Sequence, residues 1–469
     1  MYHKNTHFHF IGIGGIGMSA LAIILKQRGF IVSGSDCNLE QKSIRQLHSL
    51  GCTIFSEHDH EQIPYESLDV IVYTAAVSSE HPELKAARTY AIPVITRAQL
   101  LTELLNKQEG IAIAGAHGKT TTSSLITHIL VDAGMDPTYA IGGHLTNYET
   151  NAHAGSGAYF VAEACENDRT ITIIKPSIAI ITNIDREHLD VYNDLDEIKE
   201  AFRQYSNNVP FYGKIIACYD DAHTMSLINT LPPEKRKQIT TYGFSSDADL
   251  YVSAYELSPN SSYATVATKK TGVIGSYTLT IPGKHNLLNS LAALATAQEI
   301  DISFTAFAHA CETFKGIDRR FTFKGIYKQA HMFDDYGHHP AEIEQIVPVA
   351  YRKAQDLGGK LIIAFQPHRF SRTEKLWDEF LRVLSSMPFD TLMITDIYPA
   401  FEAPRDSITS ERLVRELRRL IPAKNVIYIA EDKTFGAVQT ALDSIIQPHD
   451  LILFLGAGKI NSLADKLAL

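Results

Sequence analysis

The sequence contains few cysteines, and none of them falls in a short paired spacing. Its 469 residues include five scattered cysteines and no CxxC motif. These are Cys37, Cys52, Cys165, Cys218 and Cys311. An odd number at such spacings excludes a disulfide framework and a zinc ribbon, and we expect reduced thiols in a cytoplasmic protein.

An excess of positive charge and a long apolar run are also missing. The formal net charge is −10, with acids and bases mixed along the chain, which argues against nucleic acid as a partner. Residues 8–25 carry almost no charge, but four glycines interrupt them, at Gly12, Gly14, Gly15 and Gly17. We therefore expect a buried strand, a turn and a helix there, with no signal peptide and no membrane span.

Short apolar runs alternate with helical patterns, which predicts α/β domains with parallel sheets. A mass of 52.0 kDa favours about three of them. The boundaries that we predict are 1–105, 106–318 and 319–469, and residues 247–279 have the alternation of antiparallel hairpins. The predicted strands are 7–11, 30–33, 70–73, 93–95, 111–114, 159–161, 177–182, one at Phe333, 361–365, 391–395, 426–429 and 451–455. The predicted helices include 16–28, 120–133 and 286–299.

The first glycine-rich loop lies between a predicted strand and a helix. It reads Gly12-Ile13-Gly14-Gly15-Ile16-Gly17, a GxGxxG pattern. In such loops the first glycine permits the turn, the second lets the backbone approach a diphosphate, and the third lets helix and strand pack. Asp36 ends the second predicted strand, where its carboxylate can bind a ribose hydroxyl. NAD and a UDP-sugar both fit this pattern, and a purely structural turn is the alternative.

The second glycine-rich loop reads Gly115-Ala116-His117-Gly118-Lys119-Thr120-Thr121-Thr122 and also joins a strand to a helix. Position 113 is isoleucine, so the motif is a shortened phosphate loop, GxxGKT. Backbone N–H groups of such loops hold phosphates, the lysine reaches the terminal phosphates, and the hydroxyl after it binds Mg²⁺. The sequence therefore predicts an ATP site with Lys119 and Thr120 at its centre.

Two further candidates follow strands of the same predicted sheet. Glu163 ends one strand, and His188 lies shortly after another. Ligand groups gather at the carboxyl ends of parallel strands, so we expect both side chains near the phosphate loop as metal ligands. Taken singly, a strand-end acid or a lone histidine is more often a surface or packing residue.

These motifs, with others further along, resemble the Mur ligase family of peptidoglycan synthesis. The resemblance covers the whole chain and rests on GAHGKTTT (115–122), TNIDxxH (182–188), GKHNLLN (283–289), GIDRRF (316–321), DDYGHHP (334–340) and FQPHRFSRT (365–373). It implies a Rossmann-like UDP-binding domain, a central ATPase-like domain with a phosphate loop, and a Rossmann-like C-terminal domain. The last three motifs resemble the branch that adds L-alanine.

The resemblance implies a role for each matching residue. Lys119, Glu163 and His188 would be catalytic, and Thr120, Glu163 and His188 would bind metal. The ATP-binding set would be Gly115, Ala116, His117, Gly118, Lys119, Thr120, Thr121, Asn286, Asn289, Arg320 and Asp335. The UDP-sugar set would be Gly12, Gly14, Gly15, Gly17 and Asp36, and the amino-acid set Tyr336, His338, Arg369 and Arg372.

The implied reaction joins L-alanine to the lactyl carboxylate of UDP-N-acetylmuramate, with ATP, through an acyl phosphate. The resemblance also implies two Mg²⁺ ions, with Mn²⁺ as a substitute, and a monomer or homodimer. A ligase that adds a murein tripeptide, an NAD-dependent oxidoreductase and a non-catalytic nucleotide-binding protein are the alternatives. The chain departs from the family pattern at Ala116, Cys165 and Lys459, which bears on metal affinity and amino-acid selectivity.

Overall fold

The computed structural model describes residues 5–187, 191–400, 402–432 and 434–468. It has three β-sheets flanked by helices, which confirms the predicted three-domain α/β architecture. By contacts the chain forms two compact units. The first runs to Tyr255 and takes in Tyr263–Leu279 and Asn286–Lys315, and the second comprises Glu256–Ser262, Thr280–His285 and Gly316 onward. No helix among the described residues combines the length and the hydropathy that a membrane crossing needs.

The first sheet has five strands in the order β3-β2-β1-β4-β5, all parallel. This is the doubly wound order, in which ligands bind where the chain reverses direction across the sheet, between β1 and β4. Its strands are β1 (His7–Ile11), β2 (Ile31–Asp36), β3 (Thr53–Ser56), β4 (Val70–Tyr73) and β5 (Val94–Thr96). Its helices are α1 (Ile16–Gln27), α2 (Lys42–Ser49), α3 (Pro82–Thr89) and α4 (Arg97–Leu105).

The central sheet has ten strands, in the order β15-β14-β13-β12-β11-β10-β6-β9-β7-β8. The strands are β6 (Glu109–Ala114), β7 (Thr138–Leu145), β8 (Thr150–His153), β9 (Tyr159–Glu163), β10 (Ile178–Ile181), β11 (Lys214–Cys218), β12 (Ile239–Gly243), β13 (Leu250–Leu257), β14 (Ser262–Thr268) and β15 (Gly272–Leu279). The helices are α5 (Lys119–Asp132), α6 (Thr170–Ile173), α7 (Leu195–Asn208), α8 (Ala222–Thr230), α9 (Pro233–Arg236), α10 (Lys284–Glu299) and α11 (Phe304–Thr313). Strand β6, which leads into the phosphate loop, lies between the parallel strands β10 and β9.

The third sheet has six strands in the order β16-β17-β21-β18-β19-β20. Only the edge pair β16–β17 is antiparallel. The strands are β16 (Thr322–Tyr327), β17 (Ala330–Asp335), β18 (Leu361–Phe365), β19 (Thr391–Thr395), β20 (Asn425–Ile429) and β21 (Leu451–Leu455). The helices are α12 (Pro340–Asp356), α13 (Phe370–Lys375), α14 (Trp377–Ser386), α15 (Ser410–Leu420), α16 (Gly436–Ile445) and α17 (Asn461–Leu467). Separate apolar clusters cover the two faces of this sheet, which explains why its buried strands are apolar throughout and do not alternate with polar residues.

The predicted buried strands agree with the observed ones, five of them at both ends, because their apolar runs and the turns after them are local signals. The segment 247–279 forms β13, β14 and β15, which are sheet neighbours joined by short links, as the hairpin prediction requires. No disulfide joins the five cysteines, all of which lie within the described residues. Strands β3, β7, β8, β11, β12 and β16 were not predicted.

A buried polar network lies beneath the first glycine loop. His9 Nδ1 forms a hydrogen bond with Ser33 Oγ (2.8 Å), and His9 Nε2 forms one with Glu83 Oε2 (2.9 Å). The other oxygen of Glu83 accepts from Ser35 Oγ at 2.5 Å. His9 and Glu83 are both fully buried. The carbonyl of Ser35 in turn accepts from the N–H groups of Gly12 and Ile13, so the network supports the loop.

Glu83→Ala should destabilise the protein by about 3 kcal/mol, because it leaves the buried His9 and Ser35 without their partner. The measurement is the free energy of unfolding in urea. Glu80→Gln is the matched control, since it removes the charge of an exposed ion pair with Lys85 and should cost no more than about 1 kcal/mol. Equal losses in the two variants would contradict the structural role of Glu83.

Candidate active site

The first glycine loop is closed by Asp36. Gly12 has φ +76°, and the N–H of Gly14 donates to Asp36 Oδ2 at 2.8 Å. A Cβ atom at position 14 would lie 2.8 Å from the same oxygen, so only glycine permits this approach. Asp36 Oδ1 accepts from Asn38 N and Gln41 Nε2. The carboxylate predicted to hold a ribose hydroxyl therefore also fixes the shape of the loop.

Gly17 lies in the first turn of α1, next to a side chain that comes from α4. A Cβ atom there would lie 3.0 Å from Nη1 and 3.2 Å from Cδ of Arg97. Residue 17 is glycine here because an arginine from the start of α4 crosses the first turn of α1. A contact with the central domain lies beside it, since Asn151 Nδ2 donates to the carbonyl of Ile16 at 2.8 Å.

The phosphate loop has a backbone that only glycine can adopt at two positions. Gly115 has φ +141°, and a Cβ atom there would lie 2.0 Å from Thr182 Oγ1. Gly118 has φ +83° and immediately precedes α5. Its Cβ position lies 2.5 Å from Asn289 Oδ1. The predicted strand–loop–helix arrangement is confirmed, with Lys119, Thr120 and Thr121 in the first turn of the helix.

Lys119 pairs with an acid that the sequence did not single out. Its ammonium group donates to Glu166 Oε2 at 2.8 Å and to the carbonyl of Gly115. Burial alone would lower the pKa of Lys119, but the Glu166 carboxylate raises it above its ordinary value. The other oxygen of Glu166 accepts from Gly115 N at 2.8 Å. One side chain therefore holds both the cation and the first glycine of the loop.

Glu163, at the end of β9, faces the first turns of α5. Its Oε1 accepts from Gly142 N at 2.7 Å and from Ser123 Oγ at 3.3 Å. A carboxylate beside the hydroxyl-bearing start of a helix is an oxygen donor set of the kind that Mg²⁺ prefers, and Thr120 lies in the same turn. Glu163 and Thr120 thus fit a magnesium ion. His188, the third predicted metal ligand, lies outside the described residues.

The segment after β10 holds the phosphate loop from the other side. His117 N donates to Asn183 Oδ1 at 2.9 Å, and the carbonyl of His117 accepts from Thr182 Oγ1 and Asn183 Nδ2. The His117 ring lies 3.3 Å from Asp185 Oδ2. Thr182, Asn183 and Asp185 belong to the TNIDxxH motif that ends at His188. These three residues contact the phosphate loop directly.

Asn286 and Asn289 lie one helical turn apart on α10, and Asn289 reaches the phosphate loop. Asn289 Nδ2 donates to Asn286 Oδ1 at 3.2 Å. Asn289 Oδ1 accepts from Thr122 Oγ1 at 3.4 Å. The second asparagine therefore borders Gly118 and Thr122, at the start of α5.

In the second unit, the end of β17 collects charged side chains. Asp335 accepts from the N–H groups of Gly337 (2.7 Å) and Phe321 (2.8 Å). Burial raises the pKa of Asp335 to about 6, although Arg320 acts in the opposite direction. The Arg320 guanidinium lies over the Tyr336 ring, 5.5 Å from its centroid. Arg320 and Asp335, predicted for ATP, thus lie beside Tyr336, predicted for the amino acid.

Three of the four predicted amino-acid residues, His338, Arg369 and Arg372, lie near His368, which was not among the predicted site residues. Arg372 Nη1 lies 3.1 Å from His368 Nδ1, and the His338 and His368 rings are 5.6 Å apart. Burial, with His338, Arg372 and Arg369 nearby, lowers the pKa of His368 to about 3. A neutral imidazole consequently stands among cations. Tyr336 contacts the His338 ring edge to face at 5.3 Å.

Comparison with known sequences agrees with this geometry along the whole chain. The Mur ligase catalytic, middle and glutamate ligase domains match residues 7–109, 113–297 and 319–458. The UDP-N-acetylmuramate–L-alanine ligase of Geotalea uraniireducens is 42% identical over 472 residues, which cover 100% of this chain and 98% of that protein. The ligase of the same description from Geobacter sp. strain M21 is 41% identical, with coverage of 100% and 98%.

The chain belongs to the Mur ligase family.

Solved structures support the same assignment. The UDP-N-acetylmuramate-alanine ligase of Thermotoga maritima superposes with a TM-score of 0.81 at 26% identity, covering 99% of this chain and 98% of that one. A murein peptide ligase of Psychrobacter arcticus has a TM-score of 0.70 at 21% identity, with coverage of 99% and 98%, and shares the fold.

This Mur ligase departs from the family pattern at Cys165, Lys459 and Ala116. Burial and the nearby Asp168 and Glu166 raise the pKa of the Cys165 thiol to about 11, so it stays uncharged. Lys459 donates through its backbone N–H to Gln366 Oε1 at 2.7 Å, a bond that does not depend on its side chain. Ala116 likewise takes part through its backbone, donating to the carbonyl of Asn183.

Glu166→Gln should lower the thermal midpoint of the ligand-free protein, because the buried Lys119 loses its counter-charge at a cost of about 3 kcal/mol. Phosphates supply a replacement charge, so Mg²⁺ with a non-hydrolysable ATP analogue should raise the midpoint more in this variant than in the natural chain. Differential scanning fluorimetry measures both shifts. Glu200→Gln, which discharges an exposed pair with Arg203, is the control. Equal ligand-induced shifts would contradict the role of Glu166.

Asp334 supplies a pH-dependent test in the second unit. It is fully buried 3.4 Å from Arg319 Nε, and burial raises its pKa to about 7. The folded chain therefore holds a proton between about pH 4 and 7 that the unfolded chain releases, so stability falls as pH rises through this window. The free energy of unfolding of Asp334→Asn, measured in urea relative to that of the natural chain, should increase by up to about 4 kcal/mol from pH 4 to pH 8. The exposed Asp406→Asn should show no such trend, and a flat difference for Asp334→Asn would refute the assignment.

Proposed function

We propose that this Mur ligase joins L-alanine to the lactyl carboxylate of UDP-N-acetylmuramate at the expense of ATP, in the cytoplasmic synthesis of peptidoglycan precursors. The observation that carries the proposal is full-length identity of 41–42% with ligases of that description. The pairing of Lys119 with Glu166 at a shortened phosphate loop supports ATP as the energy source. An NAD-dependent oxidoreductase would leave this second loop without a role.

Each domain has a proposed ligand. Residues 1–105 would hold the UDP part of the sugar nucleotide through Gly12, Gly14, Gly15, Gly17 and Asp36. Residues 106–318 would hold the ATP phosphates and their metal. Residues 319–469 would contribute Arg320 and Asp335 toward ATP, and Tyr336, His338, Arg369 and Arg372 toward alanine. An arginine suits the last task because its planar fork pairs with a carboxylate through two hydrogen bonds.

The reaction starts with attack of the lactyl carboxylate oxygen on the γ-phosphorus of ATP, which releases ADP and leaves an acyl phosphate. Lys119 stands beside the loop that receives the phosphates, where its charge stabilises the negative charge spread over the transferring group. Two Mg²⁺ ions, for which Mn²⁺ would substitute, would neutralise phosphate charge when held by Thr120, Glu163 and His188. Glycine backbone N–H groups orient the phosphates without reorganisation.

The amine of L-alanine then attacks the acyl carbon, and phosphate departs from the tetrahedral intermediate. The mixed anhydride already carries a good leaving group, so no serine or cysteine nucleophile is required. Arg369 and Arg372 would hold the alanine carboxylate and so orient its amine. The neutral His368 beside Arg372 adds no positive charge that would repel the arriving alanine ammonium group, which must lose a proton before its amine attacks.

The decisive assay measures ADP release with ATP, Mg²⁺ and UDP-N-acetylmuramate, comparing L-alanine with L-Ala-γ-D-Glu-meso-diaminopimelate. We expect turnover with alanine alone. Turnover with only the tripeptide would replace the proposal by the recycling ligase.

Lys119→Ala should reduce kcat by a factor of at least about 1,000, because it removes a principal positive charge that stabilises the transferring phosphoryl group. It should retain UDP-N-acetylmuramate binding, and near-normal turnover in this variant would contradict the phosphate-loop mechanism.

A further inference from the structure

Arg97, in the first unit, lies beside the first glycine loop and also binds Asp168, which is close in sequence to the partner of the phosphate-loop lysine. It has no role in the proposed mechanism. Arg97 is the first residue of α4, directly after β5. Its position is fixed by a capping box in which Thr96 and Gln99 exchange hydrogen bonds between side chain and backbone. Strand β5 lies beside β4, on the side of the sheet where the chain reverses direction across β1. Arg97 is thereby delivered to the ligand-binding edge of the first domain.

One edge of the Arg97 guanidinium faces the first glycine loop. Nη1 lies 3.0 Å from the position of a Cβ at Gly17, in the first turn of α1. The start of a helix carries exposed N–H groups and a partial positive charge, which favour an anion. A cation placed there adds to that preference. Nη1 is therefore positioned to face the diphosphate of a sugar nucleotide bound by this loop.

The other edge of the guanidinium grips the central domain. Nε donates to Asp168 Oδ2 at 2.8 Å, and Nη2 donates to the same oxygen. Asp168 Oδ1 accepts from Thr170 Oγ1 at 2.6 Å and from Thr170 N at 3.1 Å. Only 16% of the Arg97 side chain and 12% of the Asp168 side chain are exposed, so solvent screens this pair little.

Asp168 belongs to a short acidic segment, 163–168, that serves the phosphate loop. Glu163 begins the segment as the proposed metal ligand, and Glu166 holds Lys119 and Gly115. Burial alone would lower the pKa of Arg97, but Asp168, with Glu163 contributing, raises it. The guanidinium therefore interacts electrostatically with the acidic segment beside the proposed ATP site. Fixing Asp168 fixes the end of that segment.

We propose that Arg97 is a positioning residue that couples the two nucleotide sites, so that UDP-sugar binding at the first loop tightens ATP binding at the second. A diphosphate against Nη1 holds the guanidinium, which in turn holds Asp168 and orders the segment 163–168 for Mg²⁺ and ATP. The coupling is reciprocal by thermodynamic necessity. It rests on the proposed function for the identity of the two ligands.

Isothermal titration calorimetry on the full chain tests the coupling. The affinity of a non-hydrolysable ATP analogue with Mg²⁺ is measured with and without saturating UDP-N-acetylmuramate, and the reverse. We expect each ligand to tighten the other at least about fivefold in the natural chain. In Asp168→Asn, which keeps the shape and an acceptor for Thr170, the enhancement should fall below about twofold.

Two further variants separate coupling from folding. Arg97→Lys keeps the charge but loses the fork, and it should lose most of the enhancement with its thermal midpoint nearly unchanged. Glu197→Gln discharges the exposed pair with Arg169, next to Asp168, and should keep the full enhancement. An enhancement retained in both Asp168→Asn and Arg97→Lys, or a negative coupling in the natural chain, would overturn this inference alone. Failure of the natural chain to bind UDP-N-acetylmuramate would overturn the proposed function and the inference together.

Discussion

The ammonium group of Lys119 is held where only 15% of its side chain meets solvent, and a cation so placed must have a carboxylate beside it. Glu166 meets that need and, through its second oxygen, also holds the N–H of Gly115. The shape of the loop and the neutralisation of its lysine thus depend on one side chain. The pair with Glu166 offsets the cost of burying the Lys119 charge, so phosphates that bind at the proposed ATP site would meet a lysine already in place.

Features that depend on neighbouring residues could be predicted from the sequence. Both loops, the strands before them and the helices after them follow from glycine positions and apolar runs, which report backbone conformation locally. The partners of Lys119 and Arg97 could not be predicted, because they lie 47 and 71 residues away and meet only through the strand order β6-β9 and the packing of α4. The proximity of Arg97 to Gly17 could not be predicted for the same reason, because this arginine comes from the distant α4.

In the second unit, several cationic side chains lie around a histidine that stays neutral. Arg319, Arg369, Arg372 and His338 all act to lower the pKa of His368, and burial acts in the same direction. The imidazole responds by staying neutral, which removes one charge from a region that already has several. A sequence pattern of His-Arg-x-x-Arg shows the cations but not this neutralisation, because burial is set by residues such as Tyr398, whose ring stacks on His368 at 5.5 Å.

The acidic segment 163–168 divides its charges among three tasks, and this division explains why Cys165 is acceptable. Glu166 faces Lys119 and Asp168 faces Arg97, so two carboxylates are matched by two cations. Within the described residues, the hydrogen bonds to Glu163 come from a hydroxyl and a backbone N–H, both neutral. Its charge is therefore the one available to the proposed metal ion. An acid at position 165 would add a fourth charge with no matching cation among these contacts, whereas a thiol that stays protonated adds none.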